Sequence, residues 1–142
     1  MNGHAIGVGV TMILPCDFRL AAEGAKIGLT FVKLGILAGL GSTHLLPKIV
    51  GRARALDLLM TGRVLKASEA GEIGLVDRVV PGEALMEEAR ALAASFADAR
   101  PEAVAAAKAA VTFGEDRSME EAMQNEERIS AELRKRREQE SG

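Results

Sequence analysis

One cysteine, no tryptophan and no tyrosine occur in 142 residues, so four phenylalanines are the only aromatic side chains. Cys16 has no partner for a disulfide within the chain and cannot build a thiolate zinc cluster. A lone thiol fits a reducing compartment, so the expectation is a cytoplasmic protein with Cys16 packed as a small core residue. The shortage of aromatics removes the stacking platforms that hold single-stranded nucleic acid. No apolar run reaches the ~20 residues needed to cross a bilayer as a helix. Nor does the beginning of the chain show the basic flank and small-residue cleavage site of a secretory signal. Neither nucleic acid nor membrane is expected as a partner.

Hydrophobic residues make up 48% of the chain and charged residues 27%, the balance of a globular domain with a real core. The net charge of −2 is unevenly spread. Residues 1–62 carry six Lys/Arg against three Asp/Glu, and residues 63–142 carry twelve against seventeen. The early basic residues are scattered and form no nucleic-acid patch. Arg134-Lys-Arg-Arg137 is a basic cluster after several glutamates, which suits a solvated helix end or a phosphate contact.

Gly3, Gly7 and Gly9 precede the apolar run Val10-Thr-Met-Ile-Leu14. A glycine turn feeding a helix leaves the first helical N–H groups unpaired and converging. With the helix dipole, that arrangement holds a phosphate or an oxyanion developing on a carbonyl. The same pattern also serves as a tight turn that packs a helix on a strand. A chain opening directly on such a turn reads as one lacking N-terminal sequence.

Further along, residues 7–15 read as a short helix buried nearly all round and ended near Pro15. Residues 17–21 and 25–29 read as strands around a turn at Glu23-Gly24, and Thr30–Leu34 as one helical turn. A second glycine loop spans 35–41, with Ser42 as cap of a helix that Gly51 ends and Pro47 interrupts. Residues 52–60 form a helix packing Ala53, Leu56, Leu59 and Met60 on one face. Val64-Leu65 is extended, Ser68 caps a turn of helix closed by Gly74, and 75–80 is a strand. Three helices follow Pro81-Gly82: 83–97, 101–113 with Pro101 in its first turn, and 118–137 opened by the capping box Ser118-Met-Glu-Glu121. The division is therefore a mixed α/β part, 1–81, and a helical part, 82–142.

Several segments in order resemble one family: Asn2-Gly-His-Ala-Ile-Gly-Val-Gly9, Cys16-Asp-Phe-Arg-Leu-Ala21, Ala25-Lys-Ile-Gly28, Leu34-Gly-Ile36, Leu45-Leu-Pro47, Leu59-Met-Thr-Gly62 and Ala70-Gly-Glu-Ile-Gly-Leu-Val76. Their order and spacing are similar to the enoyl-CoA hydratase/isomerase (crotonase) family, over its second half only. The resemblance implies an α/β fold, a spiral of ββα units truncated at the N-terminus and followed by a helical trimerisation region. It implies acyl-CoA substrates, no cofactor beyond the coenzyme A of the substrate, and a homotrimer or hexamer that needs the missing half.

The resemblance also places the site. The oxyanion-binding backbone N–H of the glycine turn falls on Val8, and Ala5, Gly7, Val8, Phe31, Leu34 and Gly39 fall where substrate is held. The family's two catalytic glutamates fall on Thr11 and Phe31, neither of which is acidic. No Asp or Glu lies between Glu23 and Asp57, so the other carboxylate position in the second glycine loop is vacant too. His4 beside the turn and His44 in a helix start are readable as packed or as site-facing, Asp17 as structural, and Lys33 as solvated or as a coenzyme A phosphate contact. Two functions stay open: an acyl-CoA enzyme acting through enolate stabilisation with impaired hydratase activity, and a catalytically silent acyl-CoA-binding or assembly module. No metal site is expected.

Overall fold

The computed structural model describes residues 1–140. The last two residues of the expected helical region, Ser141 and Gly142, lie outside the described residues. The chain divides into two compact units, Met1–Ala89 and a helical unit from Arg90 onward.

The first unit holds five short strands: β1 (Ala5–Ile6), β2 (Leu20–Ala22), β3 (Lys26–Gly28), β4 (Val64–Lys66) and β5 (Arg78–Val80). They form two sheets, one ordered β1-β3-β4 and the other pairing β2 with β5. β1 lies parallel to β3, β3 antiparallel to β4, and β2 parallel to β5. The chain therefore steps from one sheet to the other between β2 and β3, with only the turn at Glu23-Gly24 between them. The helix α1 (Val8–Thr11) connects β1 to β2 across the sheets. α2 (Ser42–Val50) and α3 (Arg52–Thr61) lead from β3 to β4, and α4 (Ala67–Glu72) from β4 to β5. This is a ββα repeat pattern, and its core gathers Val10, Ile27, Leu29, Leu46, Leu58 and Leu65, each at most 1% exposed.

Gly28 lets β3 and β4 approach. A Cβ there would stand 2.9 Å from Val64 Cγ2 and 3.3 Å from Val64 Cα. The start of the chain is tied alongside β2, where the Met1 ammonium donates to the Leu20 carbonyl at 2.6 Å and Ala22 N–H donates to the Met1 carbonyl. Arg19 clips the first loop to the approach to β5. Its Nε donates to the Leu75 carbonyl and its Nη1 to the Cys16 carbonyl, while its backbone N–H donates to Asp77.

Several expectations need correction. α1 is only four residues, and Val8 and Met12 are half or more exposed, so it buries one side rather than its whole circumference. Cys16 is exposed, because it sits in the surface turn that Arg19 holds through its carbonyl. Ser42 does not cap α2. Gly41, in the left-handed conformation, takes the cap position and Ser42 is the first helical residue, fully buried. Ser68 likewise falls inside α4, whose cap is the extended Lys66. The strand expected over 75–80 is paired only at Arg78–Val80, because Leu75 and Val76 N–H groups donate to Ala70 as the end of α4. In α3 the buried residues are Ala55 and Leu58, and the Leu56/Met60 side is exposed.

The helical unit follows a one-turn 3-10 segment, Gly82–Ala84, and α5 (Leu85–Ala94), which crosses the division between units. It contains α6 (Pro101–Gly114) and α7 (Met119–Glu140), which pack on each other. Pro101 occupies the first turn of α6, and the capping box forms as expected. Ser118 N–H and Oγ donate to Glu121 Oε2, and Glu121 N–H donates back to Ser118 Oγ.

Candidate functional site

The glycine turn is built from both sides. Gly7 N–H donates to the Gly28 carbonyl at 2.8 Å, which fixes the end of β1 on β3. Gly7 then adopts φ 58°, ψ −116°, a conformation open to glycine and strained for any residue with a Cβ. Its carbonyl accepts from Val10 N–H at 3.0 Å and Thr11 N–H at 3.2 Å, pointing along α1. The Gly7–Val8 peptide is trans, so the Val8 N–H on the same plane points the opposite way, out of the helix start. Val8 is half exposed, and its N–H precedes any turn of helix that could accept it.

The two neighbouring positions are closed to acid/base work. Thr11 is buried and its Oγ1 donates to the Val8 carbonyl at 3.1 Å, so its proton is already committed. Phe31 lies in the 3-10 turn Thr30–Leu34, half-buried and packed against the core. The far end of its ring (Cζ, Cε1, Cε2) stands 3.7–4.0 Å from where a Gly7 Cβ would be.

Of the remaining residues expected at the site, Ala5 turns its side chain into the core. Leu34 is 74% exposed, and Gly39 is exposed with open space where a Cβ would stand. The fold thus brings Gly7, Val8, Thr11 and Phe31 together. His4 is exposed and its Nδ1 accepts the Lys26 N–H at 3.2 Å, a strand-edge role. His44 and Lys33 are exposed.

Downstream carboxylates Asp57 and Glu69 are both held by Arg63, whose guanidinium is pushed above its usual pKa first by the Glu69 hydrogen bond and then by the Asp57 one. Among the described residues no group of three His, Cys, Asp or Glu gathers as a metal site. No described helix is long and apolar enough to cross a membrane.

Sequence reasoning missed a groove of about 570 Å³ beside the 3-10 turn, lined by Val32, Ile36, Leu37, Leu56, Leu59 and Met60, with Arg52 also on its wall. The signal is present in the sequence as the apolar Leu56/Leu59/Met60 face of α3.

Known proteins are similar to this chain in fold and in sequence. A crystal structure of an enoyl-CoA hydratase from Bacillus anthracis superposes with TM-score 0.88 at 42% identity, over 91% of this chain and 50% of that one. A Thermobifida fusca YX protein solved in complex with CoA gives TM-score 0.88 at 31% identity, over 94% of this chain and 53% of that one. The (E)-benzylidenesuccinyl-CoA hydratase of Thauera aromatica is 43% identical over 120 residues, which is 84% of this chain and 47% of the relative. The chain spans about half the length of the curated relatives it matches. The ββα repeats followed by helices are the crotonase-like fold. The enoyl-CoA hydratase/isomerase family pattern matches residues 1–142, and the chain belongs to that family.

Proposed function

We propose that this chain contributes one oxyanion-binding donor, the Val8 N–H, to a site that holds acyl-CoA thioesters and polarises their carbonyl. The observation that carries the reading is the Gly7–Val8 peptide. Its carbonyl is locked into α1, and its N–H is turned outward at the helix start. A fixed donor of this kind needs no reorganisation as negative charge grows on the thioester oxygen, and one such donor is worth about 3–4 kcal/mol in the transition state. The relatives named as CoA hydratases and the one solved with CoA supply the substrate class.

Adding water across a double bond needs a base for the water proton and an acid for the carbon. Thr11 has its hydroxyl engaged and Phe31 has no proton to give, so neither of these positions supplies them. The chemistry favoured is enolate stabilisation on the acyl-CoA, with coenzyme A as part of the substrate and no separate cofactor. A silent acyl-CoA-binding module is the second reading, favoured by the same two side chains. We also propose assembly into a homotrimer or hexamer. Val111, Phe113, Met119 and Met123 leave 39–80% of their surface open on the helical unit, and a second subunit would cover them.

A conjugated aryl enoyl-CoA tests the reading. Carbonyl polarisation by Val8 moves its absorption to longer wavelength on binding, while crotonyl-CoA is hydrated below the ~1–1000 per second usual for enzymes. Binding with an unshifted spectrum leaves only the silent module. Hydration at an ordinary enzymatic rate would refute the account of Thr11 and Phe31.

A further inference from the structure

We propose that the groove beside the 3-10 turn is a second binding site, separate from the Gly7–Val8 turn, for a free fatty carboxylate. The alkyl chain lies between the apolar walls and the carboxylate meets Arg52 at the start of α3. Val32, Ile36 and Leu37 line one side and Leu56, Leu59 and Met60 the other. All of these but Leu59 are exposed, so the walls are apolar surface left in water, and covering them is favourable. The volume of about 570 Å³ is that of clefts that hold small molecules, apolar with a few polar groups to fix orientation.

The head group follows from charge. Among the described residues lining the groove, Arg52 alone is charged. It opens α3, where the helix dipole adds partial positive charge. Gly51 caps that end without a side-chain hydrogen bond, no acidic residue stands in the first turn, and Arg54 adds a second cation there. Negative charge is what stabilises a helix start, and here the chain supplies the opposite sign twice. A ligand carboxylate makes up the deficit while its chain covers the walls. A neutral amphiphile gains only from the walls.

The groove is distinct from the thioester site. Gly7, Val8, Thr11 and Phe31 are not among its lining residues. Phe31 and Val32 are neighbours in a 3-10 turn, where three residues complete a turn, so their side chains leave about 120° apart. Phe31 approaches Gly7 and Val32 lines the groove.

The test is calorimetric titration of the whole chain with monomeric hexanoate, octanoate and decanoate, and with 1-octanol as the uncharged comparison. Affinity should rise about 2–4-fold per added methylene. Octanoate should bind about 2–5-fold more tightly than octanol, the effect of one exposed ion pair. Arg52→Gln should remove that difference and leave octanol binding unchanged, whereas Met60→Gln should weaken both ligands. Both side chains are exposed, so neither change disturbs the core.

Equal binding of octanoate and octanol by the unaltered chain overturns the carboxylate assignment. Binding that neither variant alters puts the ligand elsewhere, the Val8 N–H included, and overturns the site. Absence of binding by every carboxylate overturns the proposal as well. A concentration-dependent dimer that Met60→Gln dissolves would then give the groove to a second copy of the chain.

Discussion

Gly7 and Gly28 are both glycine for reasons the structure separates. At Gly28 the obstacle is space, because a methyl group would meet Val64 on the paired strand at 2.9 Å. At Gly7 a methyl would find only ordinary contact with Phe31 at 3.7 Å, and the obstacle is φ 58°. Gly7→Ala and Gly28→Ala should each lower stability in urea by about 1–3 kcal/mol. Val64→Ala should recover part of the Gly28→Ala loss and none of the Gly7→Ala loss. Equal recovery in both backgrounds would show that the two glycines are not distinguished this way.

The motif around Gly7 was legible in sequence because glycine is the residue that conformational demands leave behind. The fates of Cys16 and Ser42 were not. A small side chain fits a core or a surface turn equally, and only the Arg19 clip decides for Cys16. Ser42 Oγ is buried without a hydrogen-bond partner among the described residues, an outcome that capping preferences argue against.

α3 shows how a helical pattern predicts an element better than its orientation. Its apolar residues are spread over two faces, Ala55/Leu58 and Leu56/Leu59/Met60, and sequence periodicity alone favoured the second. The structure buries the first, at 1% exposed each, and leaves Leu56 38% and Met60 70% exposed along the groove. Leu58→Ala should therefore cost about 2–5 kcal/mol in chemical denaturation, and Leu56→Ala well under half of that. A larger loss at Leu56 than at Leu58 would overturn this orientation of α3. The capping box of α7 was fully legible, because Ser118 and Glu121 act within four residues of each other and need no tertiary information. The groove was not legible, because it depends on the 3-10 turn and α3 meeting across the fold.

The two units differ in what holds them. Among the described residues, every buried hydrophobic one belongs to the first unit, ending with Leu85. In α6 no described residue is buried, and in α7 only Asn125 is, its Oδ1 accepting from Arg128 Nη2 at 2.8 Å. The α6–α7 hairpin rests on half-buried contacts and on exposed ion pairs such as Arg128–Glu132, which contribute little individually. Helices without a packed face are marginal in water even at good propensity.

The amide hydrogens of α6 and α7 should therefore exchange by local opening, at free energies well below those of β3, α2 and α3 in the first unit. Mass spectrometry of the dilute chain should show deuterium entering 101–140 while 20–66 is still protected. If the helices are covered by neighbouring subunits, as the proposed assembly requires, their protection should rise with protein concentration while that of the first unit stays constant. Concentration-independent exchange equal in both units would contradict both the marginal hairpin and the assembly that would stabilise it.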